Sequence, residues 1–325
     1  MNRYASRRDL EWSNRRMAGT AAGAGLAMAM IHAIGVAAFA AEPVKYQSAQ
    51  EAFSVGAAFY NSRNLAAAIE PLEAAFSLSK DEKMKVQASR ALMDCYRTQN
   101  DTDKMYSAVE YVVTHSGQAA ERSIVRTSLM SYIHQRGKAD EAVTRYETLL
   151  AADPRNRTAL YLLSEMYVRL KEDPEKAAEI LGRLGELDKQ EGKPADVRQQ
   201  AELAEQYVKL KKFKEGAELF ESVTTLDPKM AAWHWKEAAT AWISAGDKAR
   251  ALEAAKKSDA STPENRGELL VHFWHRALGD VYLDAGEPKL AIPHYEAAIA
   301  NTSIEGYAKD CKAKLAEATR QAEAK

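Results

Sequence analysis

The feature that most constrains this chain is a recurrence of about 34 residues beyond position 48. Three stretches lay over one another: SLMSYIHQRGKADEAVTRYETLLAADP (128–154), LAEQYVKLKKFKEGAELFESVTTLDP (203–228) and LGDVYLDAGEPKLAIPHYEAAIA (278–300). Each begins with apolar residues at spacings of three and four, which is the stripe of an amphipathic helix. A turn rich in Gly, Lys or Asp follows. A second helix then carries a small residue, an aromatic four later and an apolar residue three after that: Gly216, Phe220 and Val223, or Ala291, Tyr295 and Ala298. The small residue lets two helices approach, and the aromatic fills the space toward the next pair. Pro154 and Pro228, each after an Asp, end the second helix because proline cannot continue it. One helix pair cannot bury its apolar face alone, so such pairs stack.

This pattern resembles the tetratricopeptide repeat family. The resemblance implies an all-α fold, a right-handed solenoid of antiparallel helix pairs, with about seven pairs and a terminal helix. In that frame Tyr207, Phe220 and Pro228 fall on motif positions of a repeat from Val197. Ala142, Tyr146 and Pro154 do so from Ser123, and Leu278, Gly279, Tyr282, Ala291, Tyr295 and Ala298 do so from His272. A repeat from Arg157 keeps Leu160, Leu163 and Tyr167 but gains one residue in its turn, and its second helix starts near Pro174. An early repeat offers Gly56, Phe59, Ala68, Leu72 and Ala75. Residues 83–117 and 231–260 fit less well, and Trp242 stands one place beyond the usual Tyr. The expected division is 1–40 targeting segment, 41–48 lead-in and 49–322 repeat array. Its repeats are 49–82, 83–122, 123–156, 157–196, 197–230, 231–271 and 272–303, closed by a terminal helix at 304–322.

Residues 1–40 read as a secretory signal. Arg3, Arg7, Arg8, Arg15 and Arg16 precede an uncharged run, Ala18–Ala40, that ends in Ala38-Phe39-Ala40. Cleavage would leave Ala41 first. The alternative is a retained membrane anchor, since the run is long enough to span a bilayer. His32 and the many Ala and Gly residues make it a weak one. The arginine pairs at 7–8 and 15–16 make a twin-arginine route conceivable. Removing the segment takes five of 45 basic and two of 46 acidic residues, leaving 40 against 44 and a formal charge of −4. That balance offers no basic stripe for nucleic acid. Beyond the signal no stable membrane span is expected. Apolar residues at 46% with 28% charged suit a folded soluble array and argue against disorder. Cys95 and Cys311 lie far apart in sequence and read as reduced, helix-packed thiols.

No phosphate-binding glycine loop, HExxH or GxSxG occurs, so the chain is not expected to be an enzyme or to hold a cofactor. His272 and His275 sit three apart on a helix, but no acidic or sulfur third ligand lies within the next turn, so no metal is expected either.

The family resemblance implies a groove lined by the first helices of successive pairs, often holding a peptide. Its positions here include Tyr161, Glu165 and Arg169, then Arg198, Glu202, Glu205 and Lys209, then Trp235, Lys236 and Trp242, and finally Arg276, Asp280 and Asp284. Four of the five tryptophans fall between 233 and 274, where the repeat is least regular. Tryptophan is enriched at binding hot spots, and it also plugs gaps between imperfect repeats. The expected partner-binding set is Arg198, Lys209, Trp235, Lys236 and Trp242. The function expected is a non-catalytic protein- or peptide-binding scaffold outside the cytoplasm. The alternatives are a self-assembling structural component of an envelope complex and an enzyme with an unrecognised site.

Overall fold

The structure, a computed structural model, describes residues 46–261 and 267–324. The expected targeting segment at 1–40 lies outside the described residues. Among the described residues there are fifteen α-helices and no strand. They fall into two compact units divided between Gly137 and Lys138. That point is inside the 123–156 repeat expected from sequence.

The first unit holds α1 (Ala49–Asn61), α2 (Leu65–Leu78), α3 (Glu82–Gln99), α4 (Thr102–His115) and α5 (Ala119–Arg136). Each packs on the next, α1 also reaches α3, and α3 reaches α5. The second unit holds α6 (Ala139–Ala152), α7 (Arg157–Met166), α8 (Pro174–Gln190), α9 (Val197–Lys209) and α10 (Phe213–Leu226). It continues with α11 (Ala231–Ser244), α12 (Lys248–Ala260), α13 (Glu268–Ala285), α14 (Pro288–Ala300) and α15 (Glu305–Glu323). Here too each helix packs on its successor, and α11 also packs on α13. Each unit is an all-α stack of helix pairs.

Every turn inside a pair is built the same way. One residue takes a left-handed conformation: Arg63, Asn100, Glu172, Lys211, Gly246 or Gly286. The next residue donates its backbone N–H to an aromatic near the end of the first helix. These bonds are Asn64 to Phe59 (2.9 Å), Asp101 to Tyr96 (3.0 Å), Lys212 to Tyr207 (2.8 Å), Asp247 to Trp242 (3.0 Å) and Glu287 to Tyr282 (2.8 Å). This is a Schellman closure, which satisfies carbonyls the helix end leaves open. The closing residue is often also the cap of the second helix. Asn64, Asp101, Asp173 and Asp247 each accept, through their side chains, the backbone N–H three residues later.

This geometry corrects one sequence expectation. Measured from the turn, Trp242 holds the same place as Tyr207 and Tyr282, not one beyond it. Counting from the start of the repeat misplaced it. The extra residue after Tyr167 is also accounted for. Residues Tyr167–Lys171 form a π-helical turn, and Asp173 reaches back six residues rather than five to the Tyr167 carbonyl, at 3.0 Å.

The aromatic side chains at these places tie neighbouring pairs together. Four of them donate to a carboxylate on the preceding second helix. Tyr96 reaches Glu73 of α2 at 2.7 Å, Trp242 reaches Glu221 of α10 at 2.7 Å and Tyr282 reaches Asp259 of α12 at 2.5 Å. Tyr167 makes the same bond to Glu147 of α6. A cation from the following second helix lies over three of the rings: Lys104 over Tyr96 at 5.4 Å, Lys176 over Tyr167 at 5.1 Å and Arg250 over Trp242 at 4.5 Å. Burial alone would raise the Glu73 carboxyl, but hydrogen bonds from Lys104 and Tyr96 outweigh it and hold it below its ordinary value. At Tyr282 the neighbouring ring is His294, which also pairs with Asp259 at 3.2 Å.

Helices within a pair approach where the sequence placed small residues. A Cβ on Gly216 would lie 2.8 Å from Val208 Cγ2, and one on Gly279 would lie 2.8 Å from the Tyr295 ring. In the second unit Phe220, Trp242, Trp274, Tyr282 and Tyr295 share one core. Cys95 and Cys311 are buried free thiols, one in each unit.

Two stability measurements check this account. Lys211→Gly keeps the left-handed turn but removes its cost of about 1–2 kcal/mol to a side-chain-bearing residue, so the denaturation midpoint rises. An unchanged or lower midpoint would refute the turn assignment. Trp242→Phe strips Glu221 of its donor and leaves a void, so stability falls by about 2 kcal/mol. Trp235→Phe, at a half-buried position, costs less than about 1 kcal/mol. Equal losses at both sites would contradict the core placement of Trp242.

Candidate functional site

First helices of the second unit meet one another at three places. Arg198 of α9 bonds Glu165 of α7 at 3.0 Å, α11 packs on α13, and Arg276 of α13 pairs with Asp310 of α15 at 2.8 Å. Between α7, α8 and α9 a cleft opens, of about 300 Å³ including open solvent. Tyr161, Val168 and Leu181 supply its apolar lining, and Glu165, Arg169, Arg198, Gln199 and Glu202 its polar lining.

The cleft is polar because the helix frames put it there. Glu165 is on α7 and Arg169 lies four residues on, in the π-helical turn that follows it, with the Arg169 Nε 3.2 Å from Glu165 Oε2. Arg198 sits in the first turn of α9, which Asp196 caps by accepting from the Gln199 N–H at 3.0 Å. Two guanidiniums therefore share one largely buried carboxylate. Guanidinium has five donors, so both arginines keep N–H groups for another acceptor.

Farther along α9, Glu205 is open to water but lies in a crowded setting. Burial by surrounding protein, then the charges of Glu202 and Glu237, push its carboxyl up to about 7, against the pull of Lys209 and Lys236.

The five residues expected from sequence separate. Arg198 lines the cleft. Lys209 and Lys236 come together around Glu205, Lys209 with its Nζ 3.5 Å from Gln206 and Lys236 ion-paired with Glu237. Trp235 turns away toward α12, where the Lys257 ammonium lies 4.5 Å over its ring. Trp242 is a correction: it is 1% exposed and serves the core rather than a groove. Seven residues apart, both tryptophans lie on one face of α11, and that face meets the second helices. Trp274 is likewise buried, its indole donating to Ser258 at 3.1 Å. Sequence reasoning did not single out Gln199. Its place at the third position of the first helix is normally a packing one, and only its surroundings show that its oxygen lacks a protein partner.

His272 and His275 do not converge. His272 is buried against the Ala298 carbonyl at 2.7 Å, while His275 faces His294 with 3.1 Å between their Nδ1 atoms. Among the described residues no three His, Cys, Asp or Glu side chains are placed to hold a metal ion. Nor is any helix among the described residues long and apolar enough to cross a membrane.

Comparison with known proteins bears on the same region. Family models for the tetratricopeptide repeat match residues 134–201 and 202–266. No curated protein matches the chain significantly. Among solved structures, a tetratricopeptide repeat protein from Parabacteroides merdae is similar at 17% identity and a TM-score of 0.40, over 84% of this chain and all of its own. YrrB, described as a TPR protein with an unusual peptide-binding site, is similar at 16% identity and a TM-score of 0.45, over 58% of this chain and 91% of its own. TTC0263 from Thermus thermophilus is similar at 18% identity and a TM-score of 0.39, over 60% of this chain and 97% of its own. With the family models matched from α6 to α12, this part of the chain consists of tetratricopeptide repeats.

Proposed function

We propose that this chain is a non-catalytic scaffold that works outside the cytoplasm and holds a protein or peptide segment along α7, α9 and α11. The observation that carries this is the cleft between α7, α8 and α9. It combines an apolar floor with two arginines that retain unused donors and a buried amide whose oxygen has no protein partner. Specific binding sites have this composition: apolar contact area with a few placed polar groups. The export part of the proposal is supported by the basic, apolar and Ala-x-Ala succession of residues 1–40.

A second reading is supported by a separate surface. Leu270 and Phe273 of α13 and Ile304 and Tyr307 at the start of α15 are exposed, and the Phe273 and Tyr307 rings meet edge to face at 5.2 Å. An exposed apolar group of this kind suits self-association in a structural assembly.

The two readings separate experimentally. For the first, tagged full-length chain is localised by fractionation and used for affinity capture from the same fraction. The expected location is outside the cytoplasm, and Val168→Trp, which fills the cleft, removes the captured proteins. A folded Val168→Trp variant that captures the same proteins would rule out the cleft, and recovery only from cytoplasm would rule out export. For the second, sedimentation of the purified chain would show an oligomer that Phe273→Ser converts to monomer, and a monomer at every concentration tested would end that reading.

A further inference from the structure

α9 carries Gln199, Glu202 and Glu205 at successive spacings of three, so neighbours along this series meet on adjoining turns. All three present oxygen acceptors. Gln199 is only 7% exposed, its Oε1 has no hydrogen-bond partner in the protein, and it lines the same cleft as Glu202. A buried acceptor without a donor is costly, and a ligand that brings a donor relieves that cost.

Among the described residues no ion pair joins Glu202 or Glu205 to a lysine or arginine. Glu202 has only the Gln206 amide, at 3.4 Å. The charged groups that face Glu205 are Glu202 and Lys209 on its own helix and Lys236 and Glu237 on α11. Lys236 is already committed to Glu237, and the Lys209 ammonium lies beside Gln206. Glu165, by contrast, is ion-paired with two guanidiniums. The α9 face therefore presents two carboxylates, Glu202 and Glu205, that have no ion pair of their own, next to an apolar wall of Tyr161, Val168 and Leu181.

We infer that the segment held on this face is basic: a Lys or Arg side chain lays its stem on Tyr161 and Val168 and its cationic head on Gln199 and Glu202, with a second cation at Glu205. This rests on the reading that the α7–α9 face holds a segment, and it names that segment's chemistry. Long cationic side chains suit the slot because their stems are apolar while their heads donate hydrogen bonds. The raised carboxyl of Glu205 agrees with an unfilled cation position, since an incoming cation would favour its charged form. Binding then releases a proton, so affinity grows as pH rises through about 7 and levels off above it.

The test is fluorescence anisotropy of the full chain with three labelled Gly/Ser peptides of equal length, carrying two Lys, two Gln or two Glu. The lysine peptide is expected to bind about 10-fold or more tightly than the glutamine peptide, with the difference shrinking as salt is added. Glu202→Gln with Glu205→Gln removes that preference, whereas Glu253→Gln, an exposed carboxylate on α12, leaves it intact. Affinity for the lysine peptide rises between about pH 6 and 8 in the unaltered chain, and this rise is absent from the double variant. If the glutamine or glutamate peptide binds as tightly, or Glu253→Gln acts like the double variant, the inference falls while a segment-holding cleft stands. If no peptide binds, the inference falls too, and the Val168→Trp capture experiment decides the broader reading on its own.

Discussion

One backbone hydrogen bond sets the phase of each helix pair described here: the bond from the residue that closes the turn back to the carbonyl of an aromatic near the end of the first helix. It fixes where the first helix stops, and so which face of it the aromatic occupies. From that place the side chain reaches a carboxylate on the preceding second helix, as Tyr96 does with Glu73 and Trp242 with Glu221. Local closure and contact between pairs are thus made by the same residue, one through its carbonyl and the other through its side chain. The cation over the ring, Lys104 or Arg250, comes from the helix that the turn launches. Three consecutive helices are joined at a single aromatic.

Much of this fold was legible in the sequence. The spacing of Gly216, Phe220 and Val223 announced a second helix, and the close approach at Gly216 and Gly279 follows from the small residues seen there. Left-handed turns were legible where Gly246 and Gly286 supply them, and not where Arg63, Glu172 and Lys211 do. A charged residue in that conformation leaves no compositional mark, because the tertiary arrangement overrides a local preference. The donor–carboxylate ladder was also hidden. Its partners are about twenty residues apart, and an acidic residue on a helix surface looks like any other until the neighbouring helix is in place.

The candidate site was legible in part. The groove positions expected from the family pattern do include Glu165, Arg169 and Arg198, which meet. The tryptophans drew attention because they cluster in the least regular repeat. The irregularity came from counting from the wrong end: with the turn as origin Trp242 is an ordinary core aromatic whose indole N–H replaces a tyrosine hydroxyl. The groups that distinguish the face are less conspicuous ones. An orphaned amide at Gln199 and a carboxyl at Glu205 crowded by like charge depend on what the other helices withhold, and a linear reading cannot see a missing partner.

The π-helical turn after Tyr167 shows how such an array tolerates errors of length. The added residue is taken up inside one turn, and Asp173 still caps α8 while Tyr167 still reaches Glu147. Because each hairpin is registered on its own aromatic rather than on a running count, an insertion in one repeat is not passed to the next. Stacked arrays whose stability is a sum of neighbour terms can absorb a local fault of this kind. Divergence in repeat length is thereby uncoupled from divergence in packing, and the chain is free to vary its first helices, where a ligand would be met, without losing alignment downstream.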